Sequence, residues 1–113
     1  MENCLFCKIL KGEIPSEKVF ENDYVYAFRD INPQAPVHVL VVPKKHISSI
    51  DESDAASDTE LAECLRAVRI IAAAENLSGG YRVVTNCGPD ACQSVGHLHF
   101  HILGGKQMQD RMA

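Results

Sequence analysis

Apolar positions along this chain fall into short runs whose spacing alternates between helix-like and strand-like. Leu5, Phe6 and Ile9 keep a helical interval that Lys11-Gly12 stops, which predicts a short N-terminal helix. Lys18-Val19-Phe20-Glu21 and Tyr24-Val25-Tyr26-Ala27-Phe28-Arg29, joined by Asn22-Asp23, read as a β-hairpin. After a loop holding Asn32-Pro33 and Ala35-Pro36, the run Val37 to Val42 is apolar on both faces apart from His38. It reads as a strand inside a sheet, ended by Pro43. Ser48 to Asp58 is acidic and rich in Ser and Ala, a loop leading into one long helix. Ser57 and Glu60 form its capping box, Leu61, Cys64, Leu65, Val68, Ile71 and Ala72 its apolar stripe, and Asn76 to Gly80 its stop. That stripe is core or interface. Tyr81 to Asn86 is another strand, and the last is centred on Gly96-His97-Leu98-His99-Phe100-His101-Ile102. Alternation there puts His97, His99 and His101 on one face and Leu98, Phe100 and Ile102 on the other.

The sum is α+β: about five antiparallel strands with one long helix and a short N-terminal one, in a single domain spanning residues 1–113. A chain of 113 residues with 46% hydrophobic content suits one core. Its net charge of −4 gives no basic footprint, which argues against a general nucleic-acid binder while leaving single nucleotides open. No apolar run is long enough to span a membrane, and Met1-Glu2-Asn3-Cys4 lacks the basic opening of a signal peptide, so a cytoplasmic location is expected. Five cysteines in a reducing compartment argue against a disulfide framework.

Three of the five histidines share one strand face, and of the other two His38 lies in the Val37–Val42 run and His46 just beyond it. Imidazoles so placed can bind a metal or attack phosphorus and move protons. A chance solvated face would mix in Lys, Glu or Thr instead. Gln93-Ser94-Val95-Gly96, just before the triplet, supplies an amide, a hydroxyl and backbone N–H groups that can hold an anion. Cys4-Leu5-Phe6-Cys7 can offer two thiolates to one zinc ion but needs two more ligands, and a reduced, unmetallated pair is the alternative. Asp30, at a strand end, either caps a turn or accepts two hydroxyls.

The run from Asn86 to Gly105 resembles the histidine-triad (HIT) signature, in particular the HINT branch of nucleotide-binding phosphoramidases. Phe6-Cys7-Lys8-Ile9, Gly12-Glu13-Ile14-Pro15, Phe28 to Pro36, Val42 to Ile47 and Gly104 to Met108 resemble that branch too, in order. The resemblance implies a purine nucleotide substrate, attack by His99 on the α-phosphorus, and a nucleotidyl-histidine that water cleaves to a nucleoside monophosphate. It implies that Leu5, Phe6, Ile9, Phe28, Arg29, Ile31 and Leu40 surround base and sugar and that Asp30 takes the ribose hydroxyls. Asn86, Gln93, Ser94 and His101 would serve the phosphate or its loop, with His38 orienting a catalytic imidazole. No cofactor is needed for that chemistry. Zinc-containing relatives imply a structural site of Cys4, Cys7, His46 and His97, in which case His97 cannot also be the leaving-group acid. A homodimer paired through the long helix and the Tyr81–Asn86 strand is implied as well.

Cys92 and Gly96 depart from the glycine and the aromatic residue common at these positions, and the tail after Met108 lacks the Trp-Pro-Pro ending of animal HINT proteins. The alternatives are a dinucleoside polyphosphate hydrolase, disfavoured by Gly104-Gly105-Lys106-Gln107-Met108, a metallohydrolase with zinc on the triplet, and a nucleotide-binding adaptor with little turnover.

Overall fold

The computed structural model describes residues 3–113; Met1 and Glu2, which entered the signal-peptide argument, lie outside them. In chain order the elements are α1 (Leu5–Leu10), β1 (Lys18–Glu21), β2 (Val25–Arg29), β3 (Val37–Pro43), α2 (Asp58–Ala74), β4 (Tyr81–Val84) and β5 (Phe100–Gly104). The five strands form the expected single antiparallel sheet, and their order is β1-β2-β3-β5-β4. Among the described residues no helix is long and apolar enough to cross a membrane.

Each face of the sheet has its own core. On one, Val25, Ala27, Val39, Val41, Phe100 and Ile102 pack against Cys64, Ala67, Val68, Ile71 and Ala72 of α2. Fully burying each large aliphatic side chain stabilises the fold by roughly 1.5–3 kcal/mol. Ser57 caps α2 through the expected capping box with Glu60, and Asn76, at φ 60°, turns the chain out of it. Leu65 departs from the expected stripe, for it is 59% exposed while Ala67 takes a core position. Burial also pushes the Cys64 thiol up to about 12, so it behaves as the small hydrophobe expected.

The other face carries a row of opposed residues running through the sheet. Phe28 lies opposite Leu40, Leu40 opposite His101, and His101 opposite Val84. Helix α1 covers part of this face, and Phe6 packs with Phe28, Leu40 and Val42. The outer strand β4 ends at Val84, two residues short of the expectation, because Thr85 turns its hydroxyl to the His99 carbonyl at 2.8 Å. Between β3 and α2, the expected loop contains a 3-10 turn, Ile50–Ala55.

Candidate active site

β5 starts at Phe100, so His97, in a bend, and His99 lie ahead of the ladder rather than in it. The alternation nevertheless persists: Leu98, Phe100 and Ile102 join the α2 core, and the three imidazoles face α1. That chemical face is not solvated; His97, His99 and His38 are all buried. Buried imidazoles need partners for their ring nitrogens, and here backbone groups at fixed ends decide which nitrogen carries each proton.

His99 Nδ1 lies 2.7 Å from the His97 carbonyl, which can only accept, so Nδ1–H donates and Nε2 keeps the lone pair. His97 Nε2 likewise donates to the Pro43 carbonyl at 2.9 Å, leaving Nδ1 as its lone-pair nitrogen. His38 is fixed from the opposite side: the Gln34 N–H donates to its Nδ1 at 3.0 Å, so Nε2 carries the proton. That proton goes to His101 Nδ1 at 2.9 Å, with Asp30 Oδ2 at 3.4 Å as a second acceptor. His101 is therefore left with Nε2–H as a donor. Four histidines thus hold one lone-pair nitrogen on His99, one on His97 and one free donor on His101.

The His97 lone pair points into a cluster with Cys4, Cys7 and His46, whose ligand atoms all lie within 4.8 Å of one another. The His97 Nδ1 distances are 3.4 Å to Cys4 Sγ and 3.6 Å to Cys7 Sγ, and His46 Nδ1 is 3.3 Å from Cys7 Sγ. Zn–S and Zn–N bonds at the tetrahedral angle give an S···N edge of about 3.6 Å, so the donor set and its spacing fit zinc. Burial, and the hydrogen bond and charge of neighbouring Cys4, raise the Cys7 thiol above its ordinary value, a cost that a bound cation removes. A second grouping, Asp30, His38 and His101, does not fit: its 2.9 Å N···N approach is a direct hydrogen bond, shorter than the tetrahedral N···N edge of about 3.3 Å. The triplet does not converge on one point either, so it does not form the catalytic zinc site of the metallohydrolase alternative.

A cavity of about 290 Å³ opens over His99 and His101, walled by Leu5, Phe6, Ile9, Phe28 and Leu40 and edged by Asp30 and Ile31. Phe6 meets His99 edge-on with ring centroids 5.1 Å apart. A second, polar cavity of about 520 Å³ continues past His101 and Ser94 to Asp30, His38, Asn86 and Cys92. Among the described residues the N–H groups of Ser94, Val95 and Gly96 have no protein acceptor. An apolar slot, the Asp30 carboxylate and the Ser94–Val95 turn therefore meet around the His99 ring.

Such a site agrees with the comparison by family. A family model described as the HIT domain matches residues 11–108. The chain belongs to the HIT domain family. It is 47% identical over 106 residues to a 14 kDa zinc-binding protein of Zea mays, covering 92% of this chain and 83% of that protein. It is 44% identical over 106 residues to the adenylylsulfatase HINT1 of Arabidopsis thaliana, covering 92% and 72% respectively. Among solved structures, a HIT family hydrolase from Clostridium thermocellum superposes with a TM-score of 0.96 at 44% identity, covering 100% of this chain and 99% of that one.

Within this HIT domain two residues depart from their expected places. Arg29, expected beside base and sugar, borders the cavity, but its guanidinium lies on the α2 side, bidentate to Glu75 at 2.8 and 3.0 Å and 2.8 Å from Glu17. Strand alternation explains it, since Phe28 takes the inward position. Gln93, expected to donate to phosphate, spends both amide hydrogens on the Ser48 and Val95 carbonyls, and its oxygen accepts the Gly88 N–H. It braces the loop. Sequence reasoning missed Pro43, Gln34 and Thr85, whose backbone or hydroxyl groups fix imidazoles or the His99 carbonyl; no residue type signals a backbone role. Cys92 sits at φ 59°, a left-handed conformation that glycine adopts without strain.

Burial lowers His38, His97 and His101 below the ordinary histidine value, His101 to about 4. A depressed histidine stabilises the fold fully above the unfolded value near 6.5 and loses that contribution as pH falls toward the folded value. Thermal melts should therefore show Tm falling from pH 6.5 toward pH 4. A Tm unchanged over that window would contradict neutral buried imidazoles.

Proposed function

We propose that this protein is a nucleotide-binding hydrolase that cleaves nucleoside 5′-phosphoramidates at the P–N bond through a nucleotidyl-histidine on His99. The carrying observation is the His99 ring: Nδ1–H is tied to the His97 carbonyl, so that in the neutral ring the lone pair sits on Nε2 of a residue that lines the cavity. Its attack on the α-phosphorus forms a P–N bond to the imidazole and breaks the P–N bond to the amine, whose electron pair leaves with nitrogen and takes a proton. The His97 carbonyl then steadies the positive ring. Water attacks the nucleotidyl-histidine in turn, giving a nucleoside monophosphate and restoring neutral His99. His101 Nε2–H, the Ser94 hydroxyl and the N–H groups of Ser94 and Val95, residues that line the cavity, would hold the phosphoryl oxygens. Leu5, Phe6, Ile9, Phe28 and Leu40 would receive the base, and Asp30 the ribose. Both ring nitrogens of His97 are engaged elsewhere, so the proton for the amine comes from the solvent side, past Ser94.

Charge supports an amine as the leaving group. The polar cavity is edged by the Asp30 carboxylate, and among the described residues no Lys or Arg lines either cavity except Arg29, whose guanidinium is paired with Glu75 and Glu17. Polyphosphates or a departing sulfate find no cation there. A substrate panel tests this: adenosine 5′-phosphoramidate should turn over roughly tenfold or more faster, by kcat/KM, than an adenylyl sulfate or a diadenosine polyphosphate. Faster turnover of the polyphosphate would replace this reading with the dinucleoside hydrolase. AMP binding without turnover of any of the three would replace it with the adaptor.

We also infer that Cys4, Cys7, His46 and His97 hold a structural zinc ion, supported by the cluster spacing and by the relative named a zinc-binding protein. When bound, zinc would cross-link the N-terminal segment to the His97 segment and do no chemistry on substrate. Metal analysis of protein purified without added metal should give about one zinc per chain, consistent with four ligands closing one site. A content far below that would remove zinc from the reading and leave the hydrolase intact.

A further inference from the structure

Helix α1 stands between the sulfur–imidazole cluster and the cavity and contributes to both. Its N-terminal cap Cys4 and its residue Cys7 face His46 and His97, while Leu5, Phe6 and Ile9 wall the cavity. Phe6 touches both histidines ahead of β5, edge-on to His97 at 5.9 Å between centroids and to His99 at 5.1 Å. A second path runs through His97 itself. Its Nδ1 faces the cysteines, and its carbonyl holds the nucleophile's Nδ1–H.

We propose that the cluster and the cavity are energetically coupled through α1, so that zinc and a nucleoside monophosphate each bind more tightly when the other is present. The proposal rests on the reading of the cavity as a nucleotide site. Its physical basis is the length of α1. A helix of six residues is far too short to hold its shape alone, so its order comes from what it docks against. The thiolates tie down one side of α1, and a base against Leu5, Phe6 and Ile9 would tie down the other. Whichever ligand binds first meets the cost of ordering the helix, and the second binds to a wall already in place. Linkage requires both affinities to shift by the same factor.

The test uses the intact protein. Zinc affinity is measured by competition with a chromophoric chelator, with and without saturating AMP, and AMP affinity by calorimetry on zinc-loaded and stripped protein. Both dissociation constants should tighten by the same factor, roughly tenfold. Amide exchange at Lys8 and Lys11, whose N–H groups bond the Cys4 and Cys7 carbonyls, reports α1 directly. It should be slow in loaded protein, fast in stripped protein, and slowed again by AMP alone. Phe6→Leu, which removes the ring lying between His97 and His99, should bring the coupling factor toward one, read within the variant as the ratio of its AMP affinities in zinc-loaded and stripped protein. Equal AMP affinity in loaded and stripped protein would overturn the coupling and leave the nucleotide reading standing. AMP failing to bind loaded protein would overturn both, and full coupling in Phe6→Leu would overturn the route through α1.

Discussion

Replacing His99 with alanine should lower kcat for adenosine 5′-phosphoramidate by at least roughly 10⁴-fold while AMP affinity changes by only about threefold. The size follows from the number of jobs that converge on one ring. On the proposed reading the imidazole supplies the attacking lone pair, and the tautomer of its neutral ring is set in advance by the His97 carbonyl. No neighbour can replace it: the lone-pair nitrogen of His97 faces two sulfurs, and that of His101 accepts from His38. Binding is spread over the apolar wall and Asp30, which the substitution leaves in place. Fold is preserved because the His99 backbone keeps its Thr85 contact, and the lost ring opens on the cavity side rather than in the α2 core. The check is steady-state kinetics beside AMP calorimetry on the variant. Residual turnover within about tenfold of the parent would remove His99 as nucleophile, since a lost covalent step costs far more.

What the sequence reveals most clearly is set by side-chain period. The strict alternation from His97 to Ile102 assigns each residue to a face even though the ladder begins only at Phe100, for Leu98 still joins the α2 core while His97 and His99 meet Phe6. The apolar run of β3 likewise announces a strand with cores on both faces, and its one polar residue, His38, lies within hydrogen-bonding distance of His101. Less legible is the use made of polar side chains once the backbone is fixed. Gln93 has the right chemistry for an anion, but the turn from Gly88 to Val95 leaves three backbone groups within its reach and consumes the amide. Arg29 has the right position in the chain but the wrong parity in the strand, and Glu75, just past the end of α2, captures it on the far face. The choice between His97 as acid and His97 as ligand is likewise invisible in sequence, for it turns on the carbonyl of Pro43. Backbone acceptors carry no sequence signature.

The donor from His38 is the second point at which a single substitution should have a large effect. His38 accepts the Gln34 N–H at Nδ1 and donates from Nε2 to His101, which leaves His101 Nε2–H as the donor that would face a phosphoryl group on the proposed reading. Without that donation His101 can adopt the other tautomer and present a lone pair, which repels an anionic oxygen. Losing one such donor in a shielded site typically costs roughly 10²-fold in kcat. Two near-isosteres separate the His38 nitrogens. In His38→Asn the amide reaches only the Nδ1 position, so it can keep the Gln34 contact while the proton on His101 is no longer directed. In His38→Gln the amide reaches the Nε2 position and can donate to His101 in the histidine's place. Asn should therefore lose roughly 10²-fold in kcat and Gln nearer tenfold, with KM moved less than kcat in both, because the donor matters most as charge develops on the phosphoryl oxygens. Circular dichroism and melting curves would establish that both variants are folded. Equal losses in the two would mean that His38 acts by filling space against His101. Asn outperforming Gln would reverse the tautomers assigned to the pair, and with them the donor that His101 turns toward the substrate.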